Sequence, residues 1–271
     1  MPRTGRLLVL LGLLVVGLGI SIYLPLPSPV LILRLPSGLA AIELLLTPAR
    51  QVSLVVVWLA CAVVDSTMRG HERLAGAGLA RTAPFWILPG LTILLAFALC
   101  EGVAGPLLKV SGMAAAALVV GLLVTAQLHT LDLRDPWFGL ARLGLNAFAY
   151  TAAFATYLLA QTLPSRGLVA TPFVAISSTL MATPLLASPG STPRRTWGTA
   201  ALVGLMIAEV AWALSSGVVS PLVAGFVLLL VFYGLTGVLQ QQLWGPLERR
   251  VVVEFFVVAA LALALLLKLA G

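Results

Sequence analysis

Nine apolar stretches of membrane-spanning length occupy most of this 271-residue chain, with only short loops between them. They run over about 7–24, 50–67, 84–101, 111–130, 137–162, 168–187, 197–216, 221–242 and 251–269. A helix rises about 1.5 Å per residue, so about 20 apolar residues cross the roughly 30 Å hydrocarbon layer of a bilayer. The stretches are broken by charges, prolines and glycines. Only 9% of residues are charged, against roughly 25% in a soluble domain. So few charges cannot make a water-facing surface. The expected fold is all-α: one integral membrane bundle of about nine transmembrane helices over 1–271, because helices satisfy their own backbone in lipid.

The segment 25–49 does not fit a span. It holds Pro25, Pro27, Pro29 and Pro36, with Arg34 between them, and its best apolar run, Gly38 to Leu46, contains Glu43 and is too short to cross. It is expected to be an external structured loop, either a short hairpin or an interfacial helix. The basic start MPRTGR is followed by an apolar run longer than the roughly 7–15 residues of a signal-peptide core, and LPLPSP offers no small-x-small cleavage site. This start is expected to be a retained first span.

Charge placement sets the expected orientation. With the N-terminus cytoplasmic, the inner segments hold Arg3, Arg6, Arg69, Arg73, Arg81, Arg134, Arg142, Arg194, Arg195, Arg249 and Arg250, which is 11 of the 16 basic residues. The remaining 5 lie outside, and the C-terminus is external. This is the positive-inside pattern. It accounts for the net charge of +7 without a nucleic-acid partner. Trp86, Trp137, Trp197 and Trp244 fall at inner ends of spans, where amphipathic rings settle, whereas Trp58 and Trp212 are expected to be packing residues. Cys61 and Cys100 are too few for a disulfide framework and are expected near opposite faces, as two small apolar side chains. Asp135-Pro136, Thr171-Pro172 and Ser220-Pro221 have the form of an N-cap followed by a first-turn proline. Pro172 and Pro184 both fall in the sixth span, and Ser177, Ser178 or Thr179 could meet carbonyls they leave free.

Polar residues inside such spans carry the functional argument. Arg142, Asn146, Tyr150, Tyr157 and Gln161 fall within about 100° of one another on an ideal helix, so the span 137–162 has one polar stripe and should be a central helix touching the seventh and ninth spans. Glu209 lies about 12 residues into the seventh span, near the expected bilayer centre. Tyr150 and Tyr233 share that depth, so Glu209, Tyr150 and Tyr233 form a candidate intramembrane polar site for a proton, cation or ligand. The plainer alternative is a single polar anchor for helix packing, worth about 1 kcal/mol or less. Asp65, His129, Arg142, Asn146 and Glu254 form a candidate polar layer at the cytoplasmic face, where a salt bridge between Arg142 and Glu254 is expected. That layer is either a head-group pocket or a network anchoring helix ends, and charges at this depth favour the network.

Motifs of known chemistry are missing. There is no phosphate-binding glycine loop, no H-E-x-x-H, no paired D-D-x-x-D and no nucleophile elbow. The two histidines lack zinc spacing and stand at membrane edges, away from any position suited to haem. No catalytic residue, metal or cofactor is expected. Three blocks, VVDSTMRGHE (63–72), DLRDPWFGLARLGLNAFAY (132–150) and GLTGVLQQQLWGPLERRVVVEFFVV (234–258), resemble those of a bacterial family of uncharacterised polytopic membrane proteins with no assigned activity. The resemblance implies no catalytic role. It places Asp65, Arg142, Asn146 and Glu254 within the shared blocks.

Three functions fit these residues. The first is a non-enzymatic subunit or scaffold in the inner (plasma) membrane, in contact with the lipid bilayer and with other membrane subunits. The second is a transporter of a small or amphipathic solute using Glu209. The third is an enzyme acting on a lipid-linked substrate at the cytoplasmic face. The missing motifs and very short loops favour the first.

Overall fold

A computed structural model describes residues 47–162, 170–187, 192–215 and 219–244, the strands 30–34 and 41–45, and scattered helical positions between 5 and 20. The chain forms two compact units that divide between His129 and Thr130. Seven helices of 16 residues or more are described: α1 (Pro48–Arg69), α2 (Pro84–Glu101), α3 (Pro106–His129), α4 (Phe138–Thr162), α5 (Thr171–Leu186), α6 (Pro193–Leu214) and α7 (Pro221–Trp244). They match seven of the nine expected spans to within about five residues at each end. Six of them are long and apolar enough to cross a membrane, whereas α5, at 16 residues, is shorter. The ninth expected span lies outside the described residues. Of the first, the described positions, from Gly5 to Ile20, are helical.

The local reason for these boundaries is proline. All seven helices start with a proline or within two residues of one: Pro48, Pro84, Pro106, Pro136, Pro172, Pro193 and Pro221. Proline lacks the N–H that would be orphaned in the first turn, and its fixed φ already suits a helix. Side chains complete some of the caps. Thr47 Oγ1 accepts from Arg50 N at 3.3 Å, Asp135 Oδ1 from Trp137 N at 2.8 Å, and Ser220 Oγ from Val223 N at 3.4 Å. The expected cap at Thr171 does not form. Ala170 is the cap residue, with no side-chain bond, and the buried Thr171 hydroxyl has no hydrogen-bond partner among the described residues.

In the first unit, α1 packs on α2 and α2 on α3. A hydroxyl bond from Thr47 to Glu101 and an ion pair from Arg50 Nε to Glu101 at 3.3 Å join the start of α1 to the end of α2, so the two helices are antiparallel. They face each other at Gly90, where a Cβ would make ordinary contact with Val57 at 3.5 Å and Cys61 at 3.7 Å. At the other end Arg69 binds Asp65 Oδ2 at 2.6 Å and the Ala77 carbonyl at 2.9 Å, folding the loop back onto α1. The prolines of 25–49 do not prevent pairing. Val30–Arg34 and Ala41–Leu45 form an antiparallel hairpin with Ile32 opposite Glu43. Both cysteines are free thiols.

In the second unit, α5 packs on α6, and α7 packs on α4, α5 and α6. The tightest approach is at Gly204 of α6. A Cβ built there would overlap Thr179 Oγ1 and come within 2.5 Å of the Ala175 carbonyl of α5. A Cβ built at Gly225 of α7 would lie 3.4 Å from the Leu158 backbone of α4. Large apolar side chains are exposed on helix after helix, among them Leu54, Leu107, Leu118, Leu143, Ile176 and Leu202. Such surfaces are what lipid solvates and water does not. Trp58 and Trp212 belong to them. They are 70% and 57% exposed rather than packed as expected, because each stands on the outer face of its helix.

Candidate functional site

The stripe on α4 turns toward the interior of the second unit. Arg142, Asn146 and Tyr150 are half-buried, and Tyr157 and Gln161 are buried. Alanines at 149, 152, 153 and 160 leave 4% or less of themselves exposed, which brings the neighbouring backbones close. The helix packs on α5 and α7, and the expected contact with the seventh span (α6) is not among its main contacts in the described residues. The expected contact with the ninth span lies outside the described residues.

The lower end of the stripe holds the end of α5. Arg142 Nη2 donates to the Leu185 carbonyl at 2.6 Å and Nη1 to the Ala187 carbonyl at 3.3 Å. The last four carbonyls of a helix have no partner within it, and they carry the negative end of the macrodipole. A guanidinium there meets both needs at once. Within α5 the hydroxyls also bond backward, Thr179 to the Ala175 carbonyl and Thr183 to the Thr179 carbonyl, both at 2.8 Å.

Higher up, the stripe is bonded to its neighbours by phenols. Thr236 of α7 gives its proton to the Phe232 carbonyl at 2.6 Å, so Tyr150 OH is the donor in its 3.2 Å bond to Thr236 Oγ1. The Tyr150 and Tyr233 rings pack edge to face with centroids 5.2 Å apart, and Tyr150 and Tyr157 both stack edgewise on Phe232 at 6.0 Å. Tyr157 OH and Ser178 Oγ of α5 share a hydrogen bond of 2.8 Å with both residues fully buried. Phe154 and Phe226 continue the seam at 4.5 Å.

Two of the three expected intramembrane residues are thus together, and the third is elsewhere. Glu209 is exposed on the outer face of α6 and forms no hydrogen bond or ion pair with any described residue. The helix also begins at Pro193, four residues earlier than expected, which puts Glu209 about 8 Å past its midpoint. The cytoplasmic-face layer is divided between the units. Asp65 is paired with Arg69, and His129 is the last residue of α3, in the first unit. Arg142 and Asn146 lie one turn apart in the second. Glu254, and with it the expected salt bridge to Arg142, lies outside the described residues.

The partners that complete the seam are Ser178, Thr236 and the carbonyls of Leu185 and Ala187. The hydroxyls stood in the sequence as ordinary polar residues of apolar spans; only knowledge of which helices adjoin picks them out. Among the described residues no cluster of three His, Cys, Asp or Glu could hold a metal. A shallow apolar groove of about 280 Å³ lies on the outer side of α5 and α6, lined by Ala175, Ile176, Thr179, Leu180, Ala201 and Leu205.

A family model described as "protein of unknown function (DUF5656)" matches residues 27–269. The chain belongs to this family. The match takes in all three sequence blocks, so Asp65, Arg142, Asn146 and Glu254 lie within the family's span. No curated protein and no solved structure matches the chain.

Proposed function

We propose that this family member is a non-enzymatic, multi-pass subunit of a complex in the bacterial inner membrane, with its N-terminus cytoplasmic and its C-terminus external. The supporting observation is how the interior polar groups are used. Arg142, Tyr150 and Tyr157 each bond to a neighbouring helix. Groups committed in this way hold helices together, and buried polar groups in lipid are costly unless so satisfied. The acid expected to act with the tyrosines, Glu209, faces away from them. Transport through Glu209 and turnover at the cytoplasmic layer would both need polar groups held open to a solute.

Native mass spectrometry of the gently extracted protein tests this. The expected spectrum shows the chain together with one or more other membrane proteins in fixed stoichiometry. A chain carrying only a bound solute or lipid-linked substrate would overturn the proposal in favour of transport or turnover.

A further inference from the structure

One stripe of α6 joins an exposed pair of arginines to the apolar groove. Taking Ala201 as zero, Arg194, Gly198 and Leu205 stand at about 20°, 60° and 40° around the helix. Arg194 and Arg195 are exposed in the first turn of α6. A Cβ built at Gly198 would meet nothing within 4 Å, which leaves room along the stripe between the arginines and Ala201. From Ala201 to Leu205 the stripe borders the groove of about 280 Å³ between α5 and α6. We infer that this strip binds one anionic phospholipid, with its phosphate at Arg194 and Arg195 and one acyl chain in the groove. The inference stands apart from the subunit proposal, because it needs only a bilayer around the protein.

Depth, size and charge select this occupant. At 1.5 Å per residue, Ala201 and Leu205 lie about 10 and 16 Å along the helix from Arg194. Basic side chains at a helix end reach out to the headgroups, and the headgroup layer is roughly 5–7 Å thick on each side of the hydrocarbon. The groove then falls about 4–10 Å inside the hydrocarbon, within one leaflet. Trp197, one turn below the start of α6, agrees with this depth, since amphipathic rings settle where lipid meets water. The groove holds about nine times the volume of a water molecule in the liquid. That is room for a single hydrocarbon chain and too little for a helix, which is roughly 10–12 Å across. The one hydroxyl in the lining, on Thr179, donates to the Ala175 carbonyl at 2.8 Å, so the groove offers a ligand hydrocarbon and no donor. At its mouth two guanidiniums complement a phosphate, which arginine holds through paired N–H groups. Neither α5 nor α6 carries an acid before Glu209, about 21 Å further along than Arg195. A zwitterionic lipid brings its own ammonium to the same place and gains less from the pair than an anionic one.

Photo-cross-linking from Ile176, an exposed residue of the groove, tests this in the full chain. The protein is reconstituted in vesicles of equal parts phosphatidylglycerol and phosphatidylcholine with matched acyl chains. Leu118, exposed on α3, is the control position. Lipid adducts from Ile176 should favour phosphatidylglycerol at least about threefold, and those from Leu118 should carry the two lipids about equally. Arg194→Gln combined with Arg195→Gln should bring the ratio at Ile176 down to that at Leu118. Arg194→Lys combined with Arg195→Lys keeps both charges and should keep the preference. Ala201→Trp fills the groove without touching the charges and should abolish the preference as well. Equal labelling at Ile176 overturns the inference, as does a preference that survives the glutamine pair or Ala201→Trp, or an adduct joining Ile176 to another span of the chain. None of these results bears on the subunit proposal, which native mass spectrometry decides by itself.

Discussion

Tyr157 shows what a single polar residue does in this protein. It is fully buried, yet its phenol has one partner, Ser178, at 2.8 Å. Interhelical hydrogen bonds in membranes are worth on average about 0.6 kcal/mol, because the alternative states also find partners. Tyr157→Phe keeps the ring against Phe232 and removes only the hydroxyl, leaving the Ser178 hydroxyl to bond within its own helix. The melting temperature of the extracted variant should fall by only a few degrees, corresponding to about 1 kcal/mol. A fall comparable to a large cavity, about 3 kcal/mol or more, would show that the phenol does more than tie α4 to α5. The stripe that contains Tyr157 was legible from spacing alone, since 3.6 residues per turn puts those positions on one side. The partners were not, because Ser178 and Thr236 are chosen by which helices adjoin. Glu209 shows the opposite limit. Its cost in lipid is readable from sequence, but its direction depends on which face of α6 the Gly204 contact buries.

At the scale of elements, helix starts were the most legible feature. A proline stands at or near the start of all seven described helices, and that rule depends only on local backbone chemistry. Packing between elements was less legible. The α5–α6 contact turns on Gly204, one of 25 glycines and unmarked by any motif. Gly204→Val would drive its side chain into Thr179 and the Ala175 carbonyl. Neither can retreat, since one is backbone and the other is bonded to it at 2.8 Å. Overpacking of this kind costs about 1–3 kcal/mol. Thermal unfolding of Gly204→Val should therefore show a clear loss, whereas Gly198→Val, with open space around its Cβ, should be close to neutral. Equal effects at the two sites would contradict the close approach of α5 and α6.

For the molecule as a whole, composition decided the solvent, and the six long apolar helices with their exposed leucines agree with it. What composition could not decide is the purpose of the polar residues within those helices. Their partners support the structural role proposed above: Arg142, Tyr150 and Tyr157 bond to neighbouring helices of their own unit. The claim that they are structural is tested most directly at Arg142, by native mass spectrometry during controlled heating of Arg142→Met and the unchanged protein. Without the guanidinium the carbonyls of Leu185 and Ala187 lose their donors, at about 1.5–3 kcal/mol for hydrogen bonds from a charged group. The account predicts that Arg142→Met unfolds at a distinctly lower temperature, while below it the particle keeps the same mass and the same partners. An unchanged unfolding temperature, with a bound small molecule lost from the spectrum, would contradict it.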